Sequence, residues 1–97
     1  MNNSRADSAL VRDLTVRNQN GIHARPAAMF VKLASGFKGC EIFVEKDGER
    51  VNGKSIMGLM MLAAGPGSVL RVEVSGKEAT EAMDQIIALM DRKFDED

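Results

Sequence analysis

The chain switches repeatedly between two hydrophobic periodicities, and this order limits its fold more than any other feature of the sequence. Residues 12–17, 40–45 and 70–74 alternate apolar with polar side chains, which is typical of half-buried β-strands. One more strand, short and third in chain order, is expected at 49–51, after the hairpin signal Asp47-Gly48. Between and after the strands, three segments repeat apolar residues at helical spacing. The sequence therefore predicts the order β-α-β-β-α-β-α.

Alternating strands, unlike continuously apolar ones, favour an antiparallel sheet with one solvated face. Amphipathic helices must bury their apolar stripes against the other face. We therefore expect an α+β fold of two layers, in which three helices cover one side of a four-stranded antiparallel sheet. The pattern alone leaves the order of the strands open.

Capping signals predict where the last two helices begin. Ser55 is expected to be the N-cap of a short helix that ends near Ala63. Ser75 and Glu78 have the spacing of a capping box and predict the start of the last helix. The buried stripe of that helix is expected to include Met83 and Met90.

A chain of 97 residues is expected to hold one domain, which we place at residues 9–94. A flexible tail is expected at 1–8 and a solvated acidic end at 95–97. The net charge of −1 gives no reason to expect nucleic acid as a partner. One cysteine and one histidine argue against a structural zinc site, and we expect neither a metal nor a cofactor. Without a long apolar run or a signal-peptide segment, we expect no membrane insertion and a place in the cytoplasm. We also expect the chain to be a monomer.

The single histidine, His23, is expected at the start of the first helix. It follows a turn at Gly21, and Pro26 suits a first helical turn because its missing N–H would have been unpaired there. A helix start binds anions through free N–H groups, and its dipole favours a neutral, nucleophilic imidazole. The N–H groups of Ala24 and Arg25 and the Arg25 guanidinium are therefore candidates for binding a phosphoryl group on His23.

Two motifs carry a resemblance to a known family. The segment 21–27, Gly-Ile-His-Ala-Arg-Pro-Ala, closely resembles the phosphorylation-site motif of HPr, the histidine-containing phosphocarrier of the bacterial phosphoenolpyruvate-dependent sugar phosphotransferase system. The segment 51–59 resembles the regulatory-serine segment of the same family, with Ser55 as the serine. The likeness runs from about Leu14 to Phe94 and implies the HPr open-faced sandwich, with sheet order 1-4-2-3.

The resemblance also implies a function and partners. The chain is expected to be a phosphocarrier and not an enzyme, with phosphorylated enzyme I as the donor and enzyme IIA domains as acceptors. An HPr kinase/phosphorylase is the implied partner of Ser55. In HPr the surface around the active histidine, between the first two helices, docks both partners. Carried over to this chain, that surface consists of Ala24, Ala28, Lys32, Ile56, Met57 and Met60.

Three alternatives stay open at this stage. The closing Phe94-Asp95-Glu96-Asp97 is similar to that of NPr, the nitrogen-related paralogue, which carries phosphate to a regulatory IIA protein. A non-catalytic interaction module acting through the Ser55 face is another candidate, although it would have no use for His23. Ser55 itself can be a helix cap without any regulatory role. Leu59 is expected in the core, and Cys40 is expected to be a buried strand residue without chemistry.

Overall fold

The computed structural model describes residues 9–96. Four strands, β1 (Leu10–Thr15), β2 (Cys40–Lys46), β3 (Glu49–Asn52) and β4 (Val69–Gly76), form one antiparallel sheet. Three helices are present, α1 (Ala24–Ser35), α2 (Ile56–Met61) and α3 (Ala79–Asp91), followed by a 3₁₀ turn at Lys93–Asp95. The strand order is β1-β4-β2-β3, which confirms the predicted α+β sandwich and its 1-4-2-3 sheet.

The register of the sheet separates its two faces as the alternation predicts. On the helix side, Val44 pairs with Val72 and Ile42 with Val74, and none of the four side chains is more than 1% exposed. On the other side, charged residues of adjacent strands stand opposite one another, as where Asp13 accepts a 3.1 Å hydrogen bond from Arg71. The helices therefore pack on the apolar face only, and the buried residues Phe30, Leu59, Met83 and Met90 belong to the resulting core.

Two elements end earlier than predicted, β1 and α2. Strand β1 ends at Thr15 rather than 17, because the backbone of Val16 bonds instead to Gly67 and Ser68 in the turn before β4. Helix α2 ends at Met61, since Ala63 has a left-handed backbone with φ of +50°.

The capping box predicted at the start of α3 is wrong. Ser75 is paired with Glu41 in the sheet, and it lies three residues before the N-cap of the helix, Glu78. The N-cap is Glu78 itself, in a left-handed conformation and without a side-chain capping bond. Strand pairing took precedence over a local capping signal, which is the usual outcome when the two compete.

The tail expected at 1–8 and the last residue of the acidic end lie outside the described residues. Within residues 9–96, no helix is both long and apolar enough to cross a membrane.

Candidate functional site

The segment before α1 is held tightly against the connection between α2 and β4. Gly21 has φ of +71°, and a Cβ on it would lie 2.5 Å from the carbonyl oxygen of Ala64. The next residue, Ile22, donates its N–H to that same oxygen at 2.8 Å. Only glycine fits here without strain, so the turn delivers His23 to the start of α1 in a defined position.

His23 is the N-cap of α1, as predicted, but its ring does not cap the helix. The first helical bond runs from the N–H of Ala27 to the carbonyl oxygen of His23. By helix geometry the N–H groups of Ala24 and Arg25 therefore lack an acceptor inside the helix, and Pro26 has no N–H. These two N–H groups give the helix start the anion-binding character expected from the sequence.

The structure adds a residue that the sequence analysis placed in solvent. The carboxylate of Glu96 lies 2.9 Å from Nε2 of His23 and 3.3 Å from Nη1 of Arg25, through the same oxygen. Its side chain is only 14% exposed, whereas those of His23 and Arg25 are 41% and 57% exposed. The expectation of a solvated acidic end is therefore wrong for Glu96, which is part of the site.

Asn18 holds the other oxygen of this carboxylate. Its Nδ2 donates to Glu96 at 2.9 Å and to the carbonyl oxygen of Gly21 at 2.7 Å, while the residue is fully buried. The Oδ1 atom of Asn18 has no hydrogen-bond partner among the described residues. Asn18 therefore ties the turn before His23 to the end of the chain.

The hydrogen bond from Asn18 lowers the pKa of Glu96 below its ordinary value of 4.5. Partial burial acts in the opposite direction, and the contacts with His23 and Arg25 lower the pKa further. Glu96 is thus ionised at neutral pH and can only accept hydrogen bonds. Nε2 of His23 must then be the donor, so the neutral ring carries its hydrogen on Nε2 and its lone pair on Nδ1.

A left-handed turn places Glu96 at the site. Lys93, Phe94 and Asp95 all have φ between +55° and +59°. Side chains other than glycine disfavour such a backbone, so the turn needs contacts that hold it. Phe94 is fully buried, and burying a phenylalanine contributes about 1.5–3 kcal/mol. The aromatic ring therefore anchors the turn and directs Glu96 towards His23.

The second predicted centre, Ser55, is the N-cap of α2. Its Oγ accepts the N–H of Gly58 at 2.9 Å, which confirms the predicted cap. The preceding Lys54 donates from Nζ to the carbonyl oxygens of Phe37 and Cys40, at 3.0 and 2.7 Å. Ser55 therefore lies on a segment fixed from both sides, and its hydroxyl already has a structural role.

Helices α1 and α2 pack against each other, so they share one side of the molecule. The residues that the resemblance placed on a partner surface are exposed there: Ala24, Ala28, Lys32, Ile56, Met57 and Met60. Leu59 is 2% exposed and belongs to the core, as expected. Cys40 is also buried, and its thiol donates to the carbonyl oxygen of Lys77 at 2.7 Å.

Among residues 9–96 no group of three or more histidine, cysteine, aspartate or glutamate side chains is arranged to hold a metal ion. The polar groups of the site are the side chains of His23, Arg25, Asn18 and Glu96 and the free N–H groups of the helix start.

Comparison with known proteins places these residues in a family. Residues 10–92 match the family PTS-HPr, described as the PTS HPr component phosphorylation site. A protein named HPr-like protein Crh from Halalkalibacterium halodurans is 46% identical over 84% of this chain and 96% of its own length. A phosphocarrier protein HPr from Cupriavidus necator is 44% identical over 90% of this chain and 97% of its own length.

Solved structures agree with the sequence comparison. HPr-C-His from Thermoanaerobacter tengcongensis has a TM-score of 0.86 and 41% identity, covering 91% of this chain and 98% of that one. An HPr dimer from the same organism has a TM-score of 0.70 and 43% identity, covering 84% and 92%.

Proposed function

Because the chain belongs to the PTS HPr family of phosphocarrier proteins, we propose that it carries a phosphoryl group on His23. The group is taken from phosphorylated enzyme I and passed to enzyme IIA domains. The observation that carries this proposal is the bond between Nε2 and Glu96. That bond occupies one ring nitrogen and leaves the lone pair of Nδ1 available on a side chain that is 41% exposed.

In the proposed step, Nδ1 attacks the phosphorus atom carried by a histidine of enzyme I. A new N–P bond forms on His23 as the N–P bond of the donor breaks, and its electron pair returns to the donor imidazole. Transfer to an enzyme IIA domain is the same exchange with His23 as the leaving group. No proton has to leave Nδ1 first, because the Nε2–H tautomer already has it free.

Three donors at the start of α1 support the charged product. The N–H groups of Ala24 and Arg25 have no acceptor within the helix, and the Arg25 guanidinium is exposed beside His23. Arginine has five N–H donors, so contact with Glu96 leaves others for phosphoryl oxygens. The Arg25 guanidinium already contacts the Glu96 carboxylate, which supports an anion-binding role.

The donor and acceptor are proposed to dock on the surface formed by Ala24, Ala28, Lys32, Ile56, Met57 and Met60. Its exposed apolar part lies on α2, where the Ile56, Met57 and Met60 side chains are 42%, 72% and 41% exposed. Methionine is flexible and polarizable, which suits a surface that has to fit two different partners in turn. Lys32 adds a positive charge on α1.

We also propose that Ser55 is a regulatory phosphorylation site for an HPr kinase/phosphorylase. Its Oγ lies at the start of α2, directly before Ile56 and Met57 of the docking surface. A phosphate there would add about two negative charges at this edge of the surface while remaining compatible with a helix start.

The pathway has a second candidate. The segment that is similar to NPr, Phe94–Asp97, contains the Glu96 that contacts His23. One relative named above is a phosphocarrier protein HPr, and this name favours the HPr assignment over the NPr one. Competition between a sugar-specific IIA domain and a regulatory IIA protein for the phosphorylated chain separates the two. We propose a monomer as the working form, to be checked by its mass in solution.

The experiment that tests the carrier function is His23→Ala. This variant is expected to accept no phosphate from phosphorylated enzyme I while keeping the fold, since His23 lies at an exposed helix start. Thr80→Ala, on the exposed side of α3, is the matched control and should transfer like the wild type. Transfer to His23→Ala near the wild-type rate would overturn His23 as the acceptor, whereas a wild-type chain that accepts no phosphate would leave the non-catalytic module as the better account.

A further inference from the structure

Three methionines of α2 expose their side chains on one face of the helix. Met57, Met60 and Met61 are 72%, 41% and 66% exposed, and their spacing of i, i+3 and i+4 places them side by side. Met83 and Met90 in α3 are each only 2% exposed. The chain therefore contains reactive and protected methionines in one fold.

We propose that Met57, Met60 and Met61 form an oxidation site, at which peroxide converts thioethers to sulfoxides and thereby weakens partner docking. This inference rests on the proposed function, because Met57 and Met60 belong to the proposed docking surface and Met61 adjoins it. Methionine sulfoxide is reduced enzymatically, so the modification can be reversed.

The reaction needs no group beyond the thioether and the oxidant. A sulfur lone pair attacks one oxygen of hydrogen peroxide, an S–O bond forms and the O–O bond breaks. The sulfur is oxidised by two electrons, the peroxide is reduced by two, and water leaves. The rate at each site follows access of the peroxide to the sulfur, so exposed residues react first.

Oxidation at this site is expected to spare the fold. Helix α2 is attached to the core through Leu59, and Leu62 directly after the helix is also buried, at 2% and 4% exposure, whereas Met57, Met60 and Met61 are exposed. In the free protein a sulfoxide oxygen stays hydrated, so it should lower the stability of the fold little. On docking it must lose water without a designed partner, and this is the cost that weakens binding.

Cys40 is a poor alternative sensor of peroxide. It is buried, its thiol hydrogen is donated to the carbonyl oxygen of Lys77, and burial raises the pKa of the thiol. A thiol that stays protonated and inaccessible reacts slowly, because the thiolate is the nucleophile. The exposed methionines are therefore the groups expected to react.

The first measurement maps oxidation by peptide mass spectrometry after limited treatment of the full chain with hydrogen peroxide. Each sulfoxide adds about 16 Da, the mass of one oxygen. Met57 and Met61 are expected to react first, Met60 next, and Met83 and Met90 last. Equal rates at the α2 and α3 methionines would overturn the inference.

The second measurement compares phosphate transfer from purified phosphorylated enzyme I to untreated and oxidised protein. Oxidation is expected to raise the half-saturating concentration of this protein in transfer from enzyme I about tenfold. Treatment with methionine sulfoxide reductases A and B should restore it. The triple variant Met57→Leu/Met60→Leu/Met61→Leu keeps an apolar surface and should be insensitive to peroxide.

The outcomes separate the two proposals. If the untreated wild type accepts no phosphate, the carrier function fails and the switch fails with it. If the untreated protein transfers normally and the oxidised protein does so equally well, only the switch is wrong. Peroxide inhibition of the triple-leucine variant, or inhibition that the reductases fail to reverse, would assign the effect to another residue and overturn the inference.

Discussion

The N-cap residues of α1 and α2 both have extended backbones, but only one of the two side chains caps its helix. Both N-cap residues, His23 and Ser55, are extended, with ψ of −166° and 115°. Ser55 bonds to its own helix, three residues away. His23 makes no capping bond, and its ring meets Glu96, 73 residues away. The difference teaches that a side chain released from capping is available for chemistry, whereas one used for capping is tied to stability.

The residues around the two helix starts also differ, since one set is charged and the other is apolar. At α1 the neighbours are charged: Arg25 on the same helix and Glu96 from the end of the chain. At α2 the next two residues are Ile56 and Met57, both exposed. One helix start thus concentrates charge for phosphoryl transfer, and the other presents apolar surface for a partner. Both roles stand as proposals, and the following changes test the division.

The largest effect is expected at α1, from Arg25→Ala. Loss of one hydrogen-bond donor to a developing charge typically slows a reaction ~10²–10³-fold. Arg25→Lys should recover only part of the lost transfer rate, because lysine keeps the positive charge but lacks the paired N–H donors of arginine. Single-turnover transfer from phosphorylated enzyme I measures the rate. Lys32→Ala is the control, because a docking residue should change the concentration dependence more than the maximal rate. Equal maximal rates for wild type and Arg25→Ala would remove Arg25 from the site.

At α2 the test is a pair of variants at Ser55. Ser55→Ala removes the cap and should cost about 1 kcal/mol of unfolding free energy. Ser55→Asp keeps a cap and should unfold like the wild type, yet raise the half-saturating concentration of enzyme I about tenfold, by roughly 1.4 kcal/mol. Urea unfolding and transfer kinetics measure the two quantities. If Ser55→Asp matches the wild type in both, Ser55 is a cap only, and the regulatory proposal fails.

A smaller effect is expected from Glu96→Gln. The amide can donate or accept, so it no longer selects the Nε2–H tautomer, and transfer should slow by about threefold as the fraction with a free Nδ1 falls. Nitrogen NMR of the single histidine reports the tautomer directly. Glu81→Gln on α3 is the matched control. An unchanged tautomer in Glu96→Gln would show that Glu96 does not set the nucleophilic nitrogen.

The smallest effect is expected in the pH dependence of stability. Because the folded state lowers the pKa of Glu96, its contacts stabilise the fold fully above the unfolded-state pKa, near 4.5. This contribution is lost as the pH falls through the lower folded-state value. The difference in unfolding free energy between wild type and Glu96→Gln should therefore be constant near neutral pH and shrink below pH 4.5. A difference that grows on acidification would contradict the assigned sign.

The accuracy of the predictions follows the range of the interactions. The Ser55 cap and the His23 helix start each depend on residues within four positions, and both were predicted correctly. The capping box at Ser75 is also local, but it failed because Ser75 was claimed by pairing with Glu41, 34 positions earlier in the chain. A local signal is therefore reliable only where no strand competes for the same backbone.

Glu96 and Asn18 show the same limit at the site. Nothing in the spacing of a C-terminal acidic run marks one carboxylate as the hydrogen-bond partner of a histidine 73 positions away. The available signal was Phe94, an aromatic residue directly before that run. Its burial anchors the turn that returns Glu96 to the domain.

By itself, the sequence determined the alternating strands, the helix stripes and the place of the histidine at a helix start, because periodicity and capping act between residues that are near in the chain. Only the tertiary structure decided which ring nitrogen of His23 is free. That choice depends on a carboxylate brought from the other end of the chain by the burial of Phe94 and held by the buried amide of Asn18. Contacts of this kind arise from packing, and packing is a property of the folded chain as a whole.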